Sequence, residues 1–283
     1  MSLSSSAVSL PVGWIGPRDG MSRLERAGVE VVGQAGPEHA RVLTELASVV
    51  VIGGAVGQRF EAAHTVASEG CHVFLAWPPG VSTDEAKRLA ARAEEAGVEV
   101  GAARPLAASG LLQARPEGWT ARMVTLELVA SPAGRFSDTP WSHRIAGALD
   151  LCATLADSRD TARLDAQADR ENGLLRSVAL SLRFRTGAYA QAVLRQDDED
   201  AFRLDASGPG ARLSARSLDG PLCIERDDSR HQPVAEPDPL PPDVREAVSF
   251  IEAVASGRRA PFALADALAT MRLAEAVTEK LRG

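Results

Sequence analysis

Over residues 1–104 short apolar runs alternate with helical stretches, and few architectures accommodate that alternation. "PVGWI" (11–15), "VEVVG" (29–33), "SVVVIGG" (48–54) and "CHVFLA" (71–76) are short apolar runs, the form of parallel strands buried on both faces. Between them "DGMSRLERAG", "PEHARVLTELA" and "QRFEAAHTVASEG" have helical periodicity, and two of the three close on glycine. In "STDEAKRLAARAEEAGVEVGAA", Ser82 or Thr83 caps a helix that Gly97 ends before a further strand over 98–103. This order predicts a doubly wound open sheet.

From about residue 105 the pattern changes. "ARMVTLELVA" (121–130), "RSVALSLRFRTGAYAQAVLR" (176–195), "AFRLDASGPGARLSAR" (201–216) and "PLCIER" (221–226) read as strands joined by glycine turns, with a hairpin near 187. One helix is expected at 141–157, and two more at 242–256 and 263–281. "RDDSRHQPVAEPDPLPP" reads as an exposed Pro-rich connector. The expectation is a division into 1–104 and 105–283, the second an α+β domain with a mainly antiparallel sheet and helices on one face.

Composition narrows the function classes. The chain has 283 residues, 45% of them hydrophobic and 24% charged, and a formal charge of -7. Those values suit a soluble globular protein. They argue against nucleic acid or an anionic membrane as partner, because neutralising phosphates needs clustered Lys and Arg. "MSLSSSAVSLPVGWIG" lacks a basic leader and a long apolar run, so a cytoplasmic location is expected. Cys71, Cys152 and Cys223 lack C-x-x-C spacing and are odd in number, which predicts reduced thiols and no metal site.

"ASEGCHVFLAWPPGVSTDEAKRLAARAEEAGVEV", "LRFRTGAYAQAVLRQ…FRLDASGPGARLSA" and "VREAVSFIEAVASGRRAPFALADALATMRLAEAVTEKL" occur in the order found in the glucose-fructose oxidoreductase and inositol 2-dehydrogenase family, which the chain resembles over most of its length. The resemblance implies a Rossmann-like dinucleotide domain followed by a substrate domain, NAD or NADP as cofactor, and oligomerisation through the second domain's sheet. It also implies a lysine after the strand ending at Ala76, and a helix carrying His and Asp in a G-x-H-x-x-D arrangement.

The residues depart from each implied site. A dinucleotide fingerprint is G-x-G-x-x-G with an acid about 20 residues on; here the turn is Gly13-Trp14-Ile15-Gly16-Pro17-Arg18-Asp19-Gly20. Pro17 has no N–H, and Asp19 puts negative charge where phosphates would approach. Only 23 residues run from Pro11 to Gly33, against roughly 30 or more for a βαβ unit, so the cofactor half reads as truncated. The second strand ends Gly33-Gln34-Ala35-Gly36, with no carboxylate for a ribose. Gly13, Gly16, Gly53 and Gly54 are the candidate cofactor contacts, and Gly53, Gly54 and Gly57 open a helix in a way that can bind an anion.

Where the family has its lysine, this chain has Trp77, which donates one hydrogen bond but exchanges no proton near neutral pH. Trp77 is the expected pocket wall. In "DTPWSHRIAGALDLCATLAD" neither register restores the His/Asp pair: aligning His143 leaves Ala146 at the aspartate, and aligning Asp150 leaves Gly147 at the histidine. His143 is the candidate acid/base and Asp150 a candidate pocket residue. The combined expectation is a scaffold of this family that binds a small polar molecule without hydride transfer and without a cofactor. Two other readings stay open: an NAD(P)-dependent oxidoreductase using His143, and a structural partner, either of itself or of an active paralogue, pairing through the second sheet.

Overall fold

The structure is a computed structural model that describes residues 10–76, 79–104, 106, 116–134, 139–217, 222–226, 229–233, 240, 242–260 and 263–281, without the side chains of 222, 229–233, 242, 243, 265 and 266. In chain order its first elements are β1 (Val12–Ile15), α1 (Arg18–Arg26), β2 (Val31–Ala35), α2 (Ala40–Thr44), β3 (Val49–Ile52), α3 (Arg59–Ser68), β4 (His72–Leu75), α4 (Thr83–Ala96) and β5 (Val100–Ala102). There follow β6 (Met123–Ala130), α5 (Trp141–Leu155), β7 (Thr161–Glu171), β8 (Leu174–Phe184), β9 (Tyr189–Gln196), β10 (Ala201–Gly208) and β11 (Ala211–Ala215). The last are β12 (Leu222–Arg226), β13 (Ser229–Pro233), α6 (Pro242–Ala255) and α7 (Leu264–Lys280).

The chain forms two compact units, Met1–Pro105 with Leu240–Leu268, and Leu106–Pro239 with Ala269–Gly283. The first is the expected parallel sheet, ordered β2-β1-β3-β4-β5. Val12, Val49, Val51 and Phe74 on one face pack with Leu24 of α1 and with Val244, Ala247 and Phe250 of α6. α4 begins as the sequence predicts. Ser82 Oγ accepts from the Glu85 N–H, Glu85 Oε2 accepts from the Ser82 N–H at 2.7 Å, and Gly97 caps the far end at φ 69°.

α1 begins earlier than the sequence implies, at Arg18, but it remains a 9-residue helix. Pro17 sets the extended entry at φ -61° and supplies the carbonyl that accepts the Gly20 N–H. Residues 240–268 belong with the first unit, so one cut at 104/105 does not describe the organisation. Apolar residues of α6 complete the first sheet's core, and periodicity alone cannot say which sheet a helix covers.

The second unit is an 8-stranded sheet ordered β13-β12-β11-β10-β6-β9-β8-β7, antiparallel except for β6 and β9. Its core joins Leu126, Leu128, Leu180, Leu182, Leu194 and Leu204 to Ile145, Leu149 and Cys152 of α5, and to Ala274 and Val277 of α7. Two strands escape the sequence reading. β7 is mostly polar, as an edge strand can be, and the Asn172-Gly173 turn joining it to β8, at φ 51° and 78°, was its readable signal. β13 pairs with β12 inside the stretch read as a Pro-rich loop; its Pro233 is tolerated because the strand is at the sheet's other edge.

Cys71 and Cys152 are buried free thiols and Cys223 is half-buried. Burial pushes the Cys152 thiol up to about 12, with help from the Asp150 charge, and raises Cys71 in the same direction, with Glu69 adding to it. Thiols held protonated in this way are poor nucleophiles and poor metal ligands.

Candidate functional site at the carboxyl ends of the first sheet

The turn after β1 is built around Trp14. Its side chain lies on the same face of β1 as Val12 and is 6% exposed. The indole Nε1 donates to the Pro17 carbonyl at 2.9 Å. A Cβ added to Gly20 would lie 2.2 Å from Trp14 Cζ2; on Gly53 it would lie 2.7 Å from Cη2, and on Gly16 3.1 Å from Cζ2. Three glycines from β1's end, α1 and β3's end thus leave room for one indole. Gly16 (φ 141°) and Gly54 (φ 75°) also take backbone conformations that favour glycine. Gly13 has a different reason: its missing Cβ admits Leu43 and Ala47 at 3.3 Å.

Counting the fingerprint from Gly16 places Arg18 and Met21 at its second and third glycine positions. The second glycine lets the backbone approach a pyrophosphate; an exposed arginine stands there instead. At the end of β2, where the resemblance implies a carboxylate for the ribose, Gln34 Nε2 donates to the Gly16 carbonyl at 2.8 Å, a neutral amide tied to the turn. The Gly53 N–H, a candidate anion donor, is spent on the Ile15 carbonyl at 2.6 Å. A short 3-10 turn, Val56–Gln58, then leads into α3.

Arg59, the first residue of α3, was not singled out from sequence. Its side chain is 5% exposed and reaches across two strand ends. Nε and Nη2 donate to the Gly54 carbonyl at 3.2 and 2.7 Å, and Nη1 donates to the Ala76 carbonyl at 2.6 Å. Burial lowers its pKa to about 10, which leaves it charged at neutral pH. A cation therefore stands beside the end of β4, bonded to the carbonyl of Ala76, the residue just before the place where the resemblance implies a lysine. The available signal was an arginine opening a helix directly after the Gly53-Gly54-Ala55-Val56-Gly57-Gln58 turn. Trp77 lies outside the described residues.

In the second unit His143 occupies the first turn of α5, half-buried, with its N–H on the Pro140 carbonyl at 3.0 Å. Beside it Arg144, 5% exposed, donates to the Thr139 carbonyl at 2.8 Å, and its guanidinium carbon lies 5.1 Å from the Trp141 ring centre. Burial lowers the Arg144 pKa, against a raising effect of the Asp200 charge. Asp150 is 4% exposed and faces the unit's interior. Its Oδ1 accepts from Thr270 Oγ1 of α7 at 3.5 Å and lies 3.5 Å from Arg159 Nη1. His143 and Asp150 are thus set in different surroundings. Among the described residues no three His, Cys, Asp or Glu side chains gather in a way that could hold a metal ion, and no helix is long and apolar enough to cross a membrane.

The residues present do not fit a dinucleotide as the resemblance places it. The turn's glycines meet an indole, the second glycine is Arg18, and the ribose position holds Gln34.

No protein-family model and no curated protein matches the chain. Solved structures do. UDP-N-acetylglucosamine 3-dehydrogenase GnnA from Acidithiobacillus ferrooxidans superposes with a TM-score of 0.83 at 18% identity, over 96% of this chain and 97% of that one. The dehydrogenase MviM from Clostridium difficile gives 0.80 at 12% identity, over 96% and 99%. The Synechocystis biliverdin reductase, solved with biliverdin and NADP+, gives 0.72 at 14% identity, over 97% and 100%. With a parallel five-stranded sheet, a mixed eight-stranded one and these neighbours, the chain has the two-domain fold of the glucose-fructose oxidoreductase and inositol 2-dehydrogenase family.

Proposed function

We propose that the protein binds a small polar molecule on this oxidoreductase scaffold without transferring hydride. The observation carrying the reading is Gln34: the side chain at the ribose position is a neutral amide whose N–H is committed to the Gly16 carbonyl. Arg18 at the second glycine position and the absence of a lysine after Ala76 support it. The buried cation of Arg59 at the ends of β3 and β4 favours a ligand carrying oxygen acceptors.

Calorimetric titration of NADH and NADPH into the protein tests this. No heat is expected with either cofactor up to millimolar concentration, and micromolar binding would overturn the reading. One observation favours a second reading in that event: His143 sits half-buried in the first turn of α5, the helix on which the resemblance implies the acid/base of an NAD(P)-dependent reaction. A His143→Gln variant would then lose turnover while keeping cofactor affinity.

The protein is further proposed to pair with a second copy through the outer face of the second sheet. Met123 and Tyr189 are register partners there, and they and Val193 are 53%, 37% and 38% exposed. Light scattering on the same samples is expected to report an oligomer. A monomer would remove this part of the reading alone.

A further inference from the structure

We propose that the glycine-rich turn after β1 is a socket for the chain's own Trp14 indole, closed to diphosphate ligands. The turn has the outward form of a phosphate-binding loop: strand, glycines, then the N-terminus of a helix. Its glycines are explained by another occupant. Gly16, Gly20 and Gly53 come from three different segments; at Gly20 and Gly53 the nearest atom a Cβ would meet is on the benzo ring of Trp14, and at Gly16 that ring stands 3.1 Å away beside the Gly53 and Gly54 backbone. The closest approach, 2.2 Å at Gly20, is to a rigid fused ring locked in a close-packed interior, so no small rotation relieves it.

The polar contacts fix the same shape. The indole N–H and the Gly20 N–H both donate to the Pro17 carbonyl, at 2.9 and 3.2 Å. Gln34 holds the Gly16 carbonyl from β2, and Gly53 holds the Ile15 carbonyl from β3. A turn whose backbone is held from three sides cannot open around two phosphates, and at Arg18 a side chain replaces the bare backbone that such an approach needs. The inference deepens the proposed function by narrowing its ligand: the small polar molecule carries no diphosphate.

A double-mutant cycle tests it. Trp14→Phe removes Cζ2, Cη2 and the indole N–H while keeping an aromatic ring in the strand. Gly20→Ala in the wild type is expected to lower Tm by about 3–8 °C, the size of an overpacking strain in a chain of this length. In the Trp14→Phe background the same change is expected to cost less than about 2 °C or to raise Tm, since alanine is the better helix former. Equal losses in both backgrounds would overturn the socket.

ADP-ribose supplies the second arm, because it carries the diphosphate and ribose but no nicotinamide. At millimolar concentration it is expected to leave the wild-type Tm unchanged; a rise that Gly20→Ala abolishes would overturn closure. NADH carries the same diphosphate, so its turnover would overturn closure together with the proposed function. A protein that shows the Trp14–Gly20 coupling and ignores ADP-ribose, yet gains no Tm from a panel of sugars and carboxylic acids, would lose the proposed function alone.

Discussion

Replacing Phe250 by alanine is expected to destabilise the protein by about 3–5 kcal/mol, the usual cost of emptying a fully buried phenylalanine site, measured by urea unfolding followed by circular dichroism. Phe250 is 0% exposed although it stands on α6, far along the chain from the sheet it covers. Its ring lies 5.3 Å from that of Phe74, tilted by 44°. Gly101 in β5 makes room for it: a Cβ there would lie 2.7 Å from the Phe250 ring. The site can collapse little, because Phe74, Val49 and Val51 are held by strand pairing. A loss below about 1 kcal/mol, the range of surface substitutions, would show that α6 is not part of this core.

Arg59→Met is expected to cost about 2–4 kcal/mol, since it leaves two strand-end carbonyls without their charged donor. The bonds concerned run to the Gly54 and Ala76 carbonyls. Methionine preserves most of the apolar stem, so the loss reports the guanidinium rather than packing. Lysine restores the charge but not the planar fork that bridges the two carbonyls; Arg59→Lys should recover less than half. The sign of the pH dependence follows from the lowered pKa, about 10 in the folded protein and well below arginine's ordinary range. Burial disfavours the charged form, so its desolvation cost is constant below pH 10. It is relieved only as pH rises above that value, where the unfolded chain binds more protons. Between pH 6 and 9 the wild-type-to-Met difference should therefore stay flat to within about 0.5 kcal/mol; a slope there would mean that Arg59 titrates in that range.

The strands of the first sheet were legible because each is an unbroken apolar run, as in "SVVVIGG", and burial on both faces leaves no other composition. The capped start of α4 was legible for a local reason too: Ser82 and Glu85 satisfy one another's backbone N–H groups. β7 and β13 were not, because edge strands tolerate polar residues and proline, so pairing is written in their neighbours rather than in themselves. The assignment of α6 needed three dimensions, since an amphipathic helix does not name its sheet. At the candidate site the same limit applies. Gly16, Gly20 and Gly53 are visible in the sequence, and so is Trp14, but that one indole of β1 fills the space at all three is visible only once β1, α1 and β3 are packed.

The return of α6 to the first sheet also sets an order of events during synthesis. Gly101 and Phe250 are roughly 150 positions apart, so at ordinary elongation rates of 5–20 residues per second the nascent sheet waits about 8–30 s for its covering helix. In that interval the Phe74 face is covered from α1 alone, while almost the whole eight-stranded sheet is made from contiguous chain. The second unit's sheet can therefore pair before the first unit's core closes, although its own core is completed only by Ala274 and Val277 of α7; the N-terminal sheet, translated first, is the one that waits longest for its cover.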